Sequence, residues 1–380
     1  MENQSCLVVG RPGVGKSTYI ENAVFDAIEE RGRAIFVIDP HGETVMRIAD
    51  ALPRRLIKHT AIIDPSERGY AVGFNPLRVP VPLQMSGYQS IWEDSWGPQL
   101  NYLLKYALLA LYEHPTATLA DVVPLFTDPI RRAGILEHVR NPNTLRFWTR
   151  TFPREYAKSR KEPYLSVINK IDAIASDDNL PRILCQKHPK LDLREVLANK
   201  GIVLVNLAHD ITGDDGTAIL GSIFTSSLRA AVLEINGPLI KAHKAPHKAA
   251  LFADEFSMYG MSPYAKILTQ LRKYGLNRVV IGTQYVAQIP PPLRTAILAT
   301  VAHKVIFNVE PEDAELLARS YDRSTPGASQ FNITNITELA PFEAYISGVK
   351  ENMPQFAPLY GTGKLEDVLE RSRRRFARKI

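Results

Sequence analysis

Cysteine is scarce. The chain has only Cys6 and Cys185, far apart and without ligand-like spacing. A disulfide scaffold and a cysteine-built metal site are excluded, and the reducing cytoplasm is the expected setting. No signal segment is expected either, since Met1 is followed by Glu2, Asn3 and Gln4 and not by basic and then apolar residues. No run approaches the roughly 18 to 20 consecutive apolar residues of a spanning helix, so no membrane segment is expected in this chain. Nor is there an excess of one charge through the body of the protein. The 46 basic and 40 acidic residues leave +6, and Arg371, Arg373, Arg374, Arg375, Arg378 and Lys379 supply all of it. A neutral body offers no sign of a strongly basic nucleic-acid-binding fold; only a basic end does.

What is present is a long chain with α/β punctuation. At 380 residues it exceeds one ordinary core, which implies a large α/β domain with an insertion, or two domains. Short apolar runs at 5–9, 34–38 and 61–63 read as buried strands, and 17–30 between the first two has helical spacing. From about Gln84 to Asn199 the texture changes. Leu100, Leu103, Leu104, Ala107, Leu108 and Leu111 repeat at helical spacing, and prolines break the block repeatedly, so it reads as a helical insertion. Strand-like runs return at 202–205, 250–253, 278–281, 304–308 and 344–346. The expected division is a core at 1–83 and 201–360, an all-α insertion at 84–200, and a basic tail at 361–380.

Gly10-Arg11-Pro12-Gly13-Val14-Gly15-Lys16-Ser17, followed by Thr18, fits the P-loop pattern and sits where that loop must, after a strand and opening a helix. Its glycines let backbone N–H groups close around phosphates. Lys16 adds positive charge at the β and γ phosphates, Ser17 can hold Mg²⁺, and the helix points its positive end at the anion. Ala249 to Phe256 is an apolar strand ending in two adjacent acids. Asp254 is placed to orient the Mg²⁺ water shell, and Glu255 to polarise the water that attacks a γ-phosphate. Gln284, just past the strand at 278–281, can contact the γ-phosphate and that water, although a glutamine after a strand is more often only a loop residue.

A GTPase set is also mimicked, by Asp39-Pro40-His41-Gly42 (DxxG) and Asn169-Lys170-Ile171-Asp172 (NKxD). Position argues against it. A guanine-reading NKxD should leave a buried strand, yet 164–175 has helical spacing inside the helical block. ATP is therefore expected over GTP.

With these residues in view, the chain resembles the FtsK/HerA superfamily of hexameric DNA-pumping ATPases, on the type IV secretion and conjugation branch of coupling-protein-like and VirB4/HerA-like ATPases. The likeness runs from Ser5 to about Phe356. It rests on the P-loop, Ile38 to Gly42, Phe74-Asn75-Pro76-Leu77, Asp254-Glu255-Phe256, Leu271 to Leu276, Thr283-Gln284 and Glu312 to Glu315. The resemblance implies an α/β, RecA-like P-loop core with a mostly parallel sheet, the insertion resembling the all-α domain of coupling proteins. It further implies ATP and Mg²⁺ as ligands, a homo-oligomer, specifically a hexamer, with DNA in its channel, and secretion or relaxosome proteins as partners. Asp254 and Glu255 become the Walker B pair, Gln284 the sensor, and Arg272 the arginine reaching into a neighbouring subunit's site, with Arg294 and Arg319 as substitutes. The alternative is a VirB4-like ATPase acting on protein partners of a secretion apparatus.

The family's coupling proteins carry membrane helices before the P-loop, and many relatives a large domain, whereas nine residues precede Gly10 here. The expectation is a membrane-free relative or a chain beginning inside a longer product, cytoplasmic or peripheral at the inner membrane. For contact with DNA phosphates the sequence offers two places. One is the loop of Lys241, His243, Lys244, His247 and Lys248, which a solvated connection explains equally well. The other is the arginine-rich end, which can bind phosphate or an acidic partner, or be disordered.

Overall fold

The computed structural model describes residues 5–157, 163–320, 333–346, 349–352 and 361–380; Phe356, where the family likeness ends, lies outside them. Eleven strands occur among the described residues: β1 (Ser5–Val9), β2 (Arg33–Asp39), β3 (Thr60–Ile63), β4 (Tyr70–Val72), β5 (Ile202–Asn206), β6 (Lys248–Ala253), β7 (Leu276–Thr283), β8 (His303–Ile306), β9 (Glu343–Ile346), β10 (Val349–Asn352) and β11 (Ala377–Lys379). Nine of them form one sheet in the order β10-β9-β8-β1-β7-β6-β2-β5-β3. The run from β8 to β3 is parallel throughout, and β9 and β10 add an antiparallel edge.

Parallel strands covered on both faces need apolar residues at every position, and that is why they read as unbroken apolar runs. Alternate residues then serve opposite cores. Leu7 and Val9 of β1, with Ala34, Phe36 and Ile38 of β2, join the core on one face, while Cys6, Val8, Ile35 and Val37 join the other. The second face is covered by helices Lys16–Glu29 and Glu43–Ala51.

Between β4 and β5 the described chain holds helices and turns but no strand. Leu100, Leu103, Leu104, Leu108, Trp148 and Phe152 of this block belong to the same continuous core as Leu7 and Phe36, so the insertion does not close a core of its own, and it meets the rest of the fold mainly along helix His209–Lys241. A Leu→Ala change there should cost about 2–5 kcal/mol. Helix His209–Lys241 is apolar and long enough to cross a bilayer, but it is kinked at Gly213 and 72% of its apolar window is buried in the protein. It is a core helix.

Residues 361–380, expected as a tail, are folded. Helix Leu365–Phe376 buries Val368, Ser372 and Phe376, and Ser372 Oγ accepts the Ile62 N–H of β3 at 2.9 Å. β11 then pairs antiparallel with β4, Ala377 opposite Val72. Arg373 is ion-paired with Glu67 at 2.5 Å, so the basic end is partly spent on holding the sheet edge.

Candidate functional site

Four adjacent parallel strands, β1, β7, β6 and β2, bring their carboxyl ends together, and the P-loop, Gln284, Asp254-Glu255 and Asp39 to Gly42 each lie at the end of one of them. Beyond β1 the chain turns at Gly10, where Arg11 N–H donates to Asn308 O at 2.9 Å after β8. Gly13 and Gly15 have φ of 77° and 112°, a region that only glycine enters without strain, and helix Lys16–Glu29 starts immediately after. Pro12 and Gly13 are exposed, Val14 is buried and Thr18 is half-buried. Arg11 forms a half-exposed pair with Glu310 at 2.8 Å, of little energetic consequence.

Lys16 is buried and its ammonium donates to Gly10 O at 2.7 Å and Arg11 O at 3.0 Å, with Glu255 Oε1 at 3.4 Å. Ser17 Oγ donates to Asp254 Oδ2 at 2.8 Å. The two motifs, more than two hundred residues apart in sequence, thus meet through two side-chain contacts. Asp254 can come this close to β7 because Gly282 has no side chain; a Cβ there would lie 2.9 Å from Asp254 Oδ1.

Burial pushes the Asp254 carboxyl up to about 6, the charges of Asp39 and Glu255 push the same way, and Ser17 and Lys16 oppose them. A third carboxylate, Asp39 at the end of β2, is therefore part of the site. It accepts the N–H groups of His41 and Thr44 at 2.9 and 2.8 Å and so caps helix Glu43–Ala51. The family motif included Asp39, and its capping bonds are local, two and five residues on; its place beside Asp254 depends on the pairing of β2 with β6 and was not legible. His41 contributes its backbone N–H to this turn, while its exposed ring packs edge-on against His209 at 5.7 Å.

Glu255 has φ 43°, uncommon for a residue with a side chain, and its N–H donates to Asp254 Oδ1 at 3.0 Å. Tyr259 fixes the turn from below by donating its hydroxyl to Asp254 O at 2.7 Å. Gln284, half-buried, is the first residue past β7, and Thr283 is level with Val9 of β1. It therefore stands beside the P-loop.

Among the described residues no group of three or more His, Cys, Asp or Glu has a metal-holding arrangement. A hydroxyl paired with one carboxylate fits Mg²⁺ nonetheless, because that ion keeps several waters and takes other positions from phosphate oxygens. The raised Asp254 carboxyl points the same way, since a cation beside it would offset the cost of its buried charge.

Arg272 lies elsewhere. It is exposed in the turn before β7, at the sheet end opposite the P-loop. The eight residues of β7 put it roughly 25 Å from Gln284, well beyond the reach of an arginine side chain. The basic loop joins it there, because Asn236 Nδ2 donates to both His247 O at 3.0 Å and Tyr274 O at 2.6 Å. Lys241, Lys244, Lys248, Arg272 and Lys273 are all exposed at this end. Arg294 donates to Ala287 O at 3.2 Å, and Arg319 is an exposed partner of Glu315. The NKxD residues fall in helix Leu165–Ala175 of the insertion, where Lys170 donates to Ser95 Oγ at 2.5 Å and lies over the Trp92 ring.

No family model matches the chain, and no curated protein sequence is similar to it. Solved structures are. The plasmid coupling protein TrwB with the non-hydrolysable GTP analogue GDPNP superposes with a TM-score of 0.65 at 16% identity, over 95% of this chain and 88% of that one. TrwB with ADP and Mg²⁺ gives 0.64 at 17% identity, over 95% and 87%. VirB4 of Thermoanaerobacter pseudethanolicus gives 0.58 at 16%, over 92% and 88%. The chain has the RecA-like α/β fold that these proteins share.

Proposed function

We propose that this protein is an ATP-hydrolysing motor that assembles as a ring, a hexamer, and translocates DNA in the manner of conjugative coupling proteins and HerA-like ATPases. The observation that carries the reading is the double contact of the P-loop with the acidic pair, Ser17 to Asp254 and Lys16 to Glu255. A triphosphate in the loop competes with the Gly10 and Arg11 carbonyls for the Lys16 ammonium. Glu255, no longer neutralised by Lys16, becomes the base for the attacking water, and the Gln284 amide orients that water against the γ-phosphate. Ser17 and Asp254 would hold Mg²⁺, which when bound neutralises charge developing on the phosphate oxygens.

Arg272 would complete the site of a neighbouring subunit, and its distance from its own P-loop supports a role in trans. The lysines beside it give a ring the means to hold a phosphate backbone. The likeness to TrwB, solved with both GTP and ATP analogues, supports the nucleotide and the conjugative setting. Secretion or relaxosome proteins would then be its partners, at the inner membrane or in the cytoplasm. The likeness to VirB4 favours a second reading, a motor acting on protein components of a secretion apparatus. Steady-state ATP hydrolysis with and without DNA separates the two. DNA stimulation is expected for the translocase, indifference to DNA for the second reading, and no hydrolysis under either condition defeats both.

A further inference from the structure

Phe342 is an exposed aromatic residue fastened to the P-loop. It lies in the turn before β9, which begins at the carboxyl end of β8 and so beside Gly10. Its N–H donates to Val14 O at 2.9 Å. Its ring lies on Gly15, where an added Cβ would stand 2.8 Å from Phe342 Cδ1 and 3.3 Å from Cε1. The turn is held from beneath by Asn308, whose Nδ2 donates to Thr337 O and Leu339 O at 2.8 and 2.9 Å, and whose carbonyl accepts Arg11 N–H.

Two features set this residue apart from a core phenylalanine. It is 41% exposed, so one face rests on the loop while the rest of the ring is open to solvent. Its φ is 65°, a conformation that glycine adopts freely and a side chain strains. A large apolar side chain kept in a strained, solvent-facing position on a phosphate-binding loop indicates a surface kept for contact.

We propose that Phe342 is the stacking platform for the nucleotide base, a proposal that rests on the nucleotide reading of the P-loop. A triphosphate held along Gly13 to Ser17 leaves its ribose and base at the loop's rim, and this ring is anchored to that rim on the side away from Gln284. A phenyl face carries no hydrogen-bonding group. It reads the π area of a base and not its edge, so it favours purines over pyrimidines and by itself separates ATP from GTP poorly.

The test is equilibrium binding of ATP, CTP and inorganic tripolyphosphate to the wild type and to Phe342→Ala, Phe342→Gly and Phe342→Trp. Glycine relieves the strained φ, so a weakness shared by the Ala and Gly variants cannot come from backbone strain. The expected result is a loss of about 10- to 100-fold for ATP in both variants, a smaller loss for CTP, unchanged tripolyphosphate binding, and recovery with tryptophan. The indole at 342 should also be quenched by ATP and not by tripolyphosphate. Equal losses for ATP and tripolyphosphate would make Phe342 a prop for the loop, and no loss would remove it from the site; either overturns the proposal. A wild type that binds tripolyphosphate but gains nothing from a base overturns the platform alone, whereas one that binds neither overturns the nucleotide reading beneath it.

Discussion

Lys16 and Glu255 face each other across 3.4 Å with both side chains buried. The ammonium's two hydrogen bonds go to carbonyls of its own loop, so Lys16 holds the loop by hydrogen bonds and the acidic pair by charge. A phosphate that attracts the ammonium both enters the loop and removes the counter-ion from Glu255.

Glu255→Gln keeps the size of the side chain and removes the carboxylate proposed as the base. ATP affinity should stay within a few-fold of wild type while turnover falls by roughly 10²-fold or more. Lys16→Ala should instead weaken nucleotide binding itself. Equilibrium binding and steady-state phosphate release on the two variants check both statements, and normal turnover in Glu255→Gln would move the base elsewhere.

Asp254 gives a pH signature. Its carboxyl lies at about 6 in the fold against an ordinary 3.8, so the folded state takes up its proton more readily than the unfolded chain. The group therefore favours folding when protonated, and that advantage is lost as pH rises from about 4 to 6. Two units correspond to roughly 3 kcal/mol at most. Asp254→Asn, which keeps an acceptor for Ser17, should raise the Tm of the nucleotide-free, Mg²⁺-free protein above pH 6 and lose that gain toward pH 4. A gain that is flat with pH would show that Asp254 is not the titrating group.

The NKxD residues lie in helix Leu165–Ala175 of the insertion and not at a strand end. Asp172→Ala should leave the ATP-to-GTP affinity ratio unchanged in a competition measurement, since Asn169 to Asp172 form part of a helix in the insertion. A GTP preference lost in the variant would reinstate the guanine-reading interpretation.

The sheet and half of the site were legible because their signals are local. Parallel strands buried on both faces leave unbroken apolar runs, so the runs at 34–38 and 202–205 fall inside β2 and β5. β4 and β11 were not legible: each has three residues, and each is stabilised by a partner some three hundred residues away. The same division holds at the site. The P-loop and Asp254-Glu255 are contiguous motifs, whereas the nearness of Asp39 to Asp254, the close approach at Gly282 and the seat of Phe342 on Gly15 exist only once distant segments meet. The fold of 361–380 was hidden because the helix buries only Val368, Ser372 and Phe376 among many charges.

Arg272 yields the sharpest prediction about assembly. Its place at the far end of β7 rules out a contact with its own P-loop, so any catalytic contribution must be made to a neighbour. An isolated subunit should then bind ATP and hydrolyse it slowly, because charge developing on the γ-phosphate lacks its cation; an arginine supplied in trans is worth about 10³ to 10⁵ in rate. Specific activity should rise with protein concentration, and DNA should raise it further at low concentration by favouring the ring, an effect that salt erodes. Mixing decides the direction of the contact. Arg272→Ala subunits retain Glu255 and Glu255→Gln subunits retain Arg272, so a mixed ring contains interfaces where an intact base meets an intact arginine. Two variants that are each inactive should recover part of the wild-type rate when combined. If they co-assemble by size-exclusion analysis and still show no recovery, Arg272 is a structural or solvated residue; full turnover by a monomer without DNA removes the ring translocase itself.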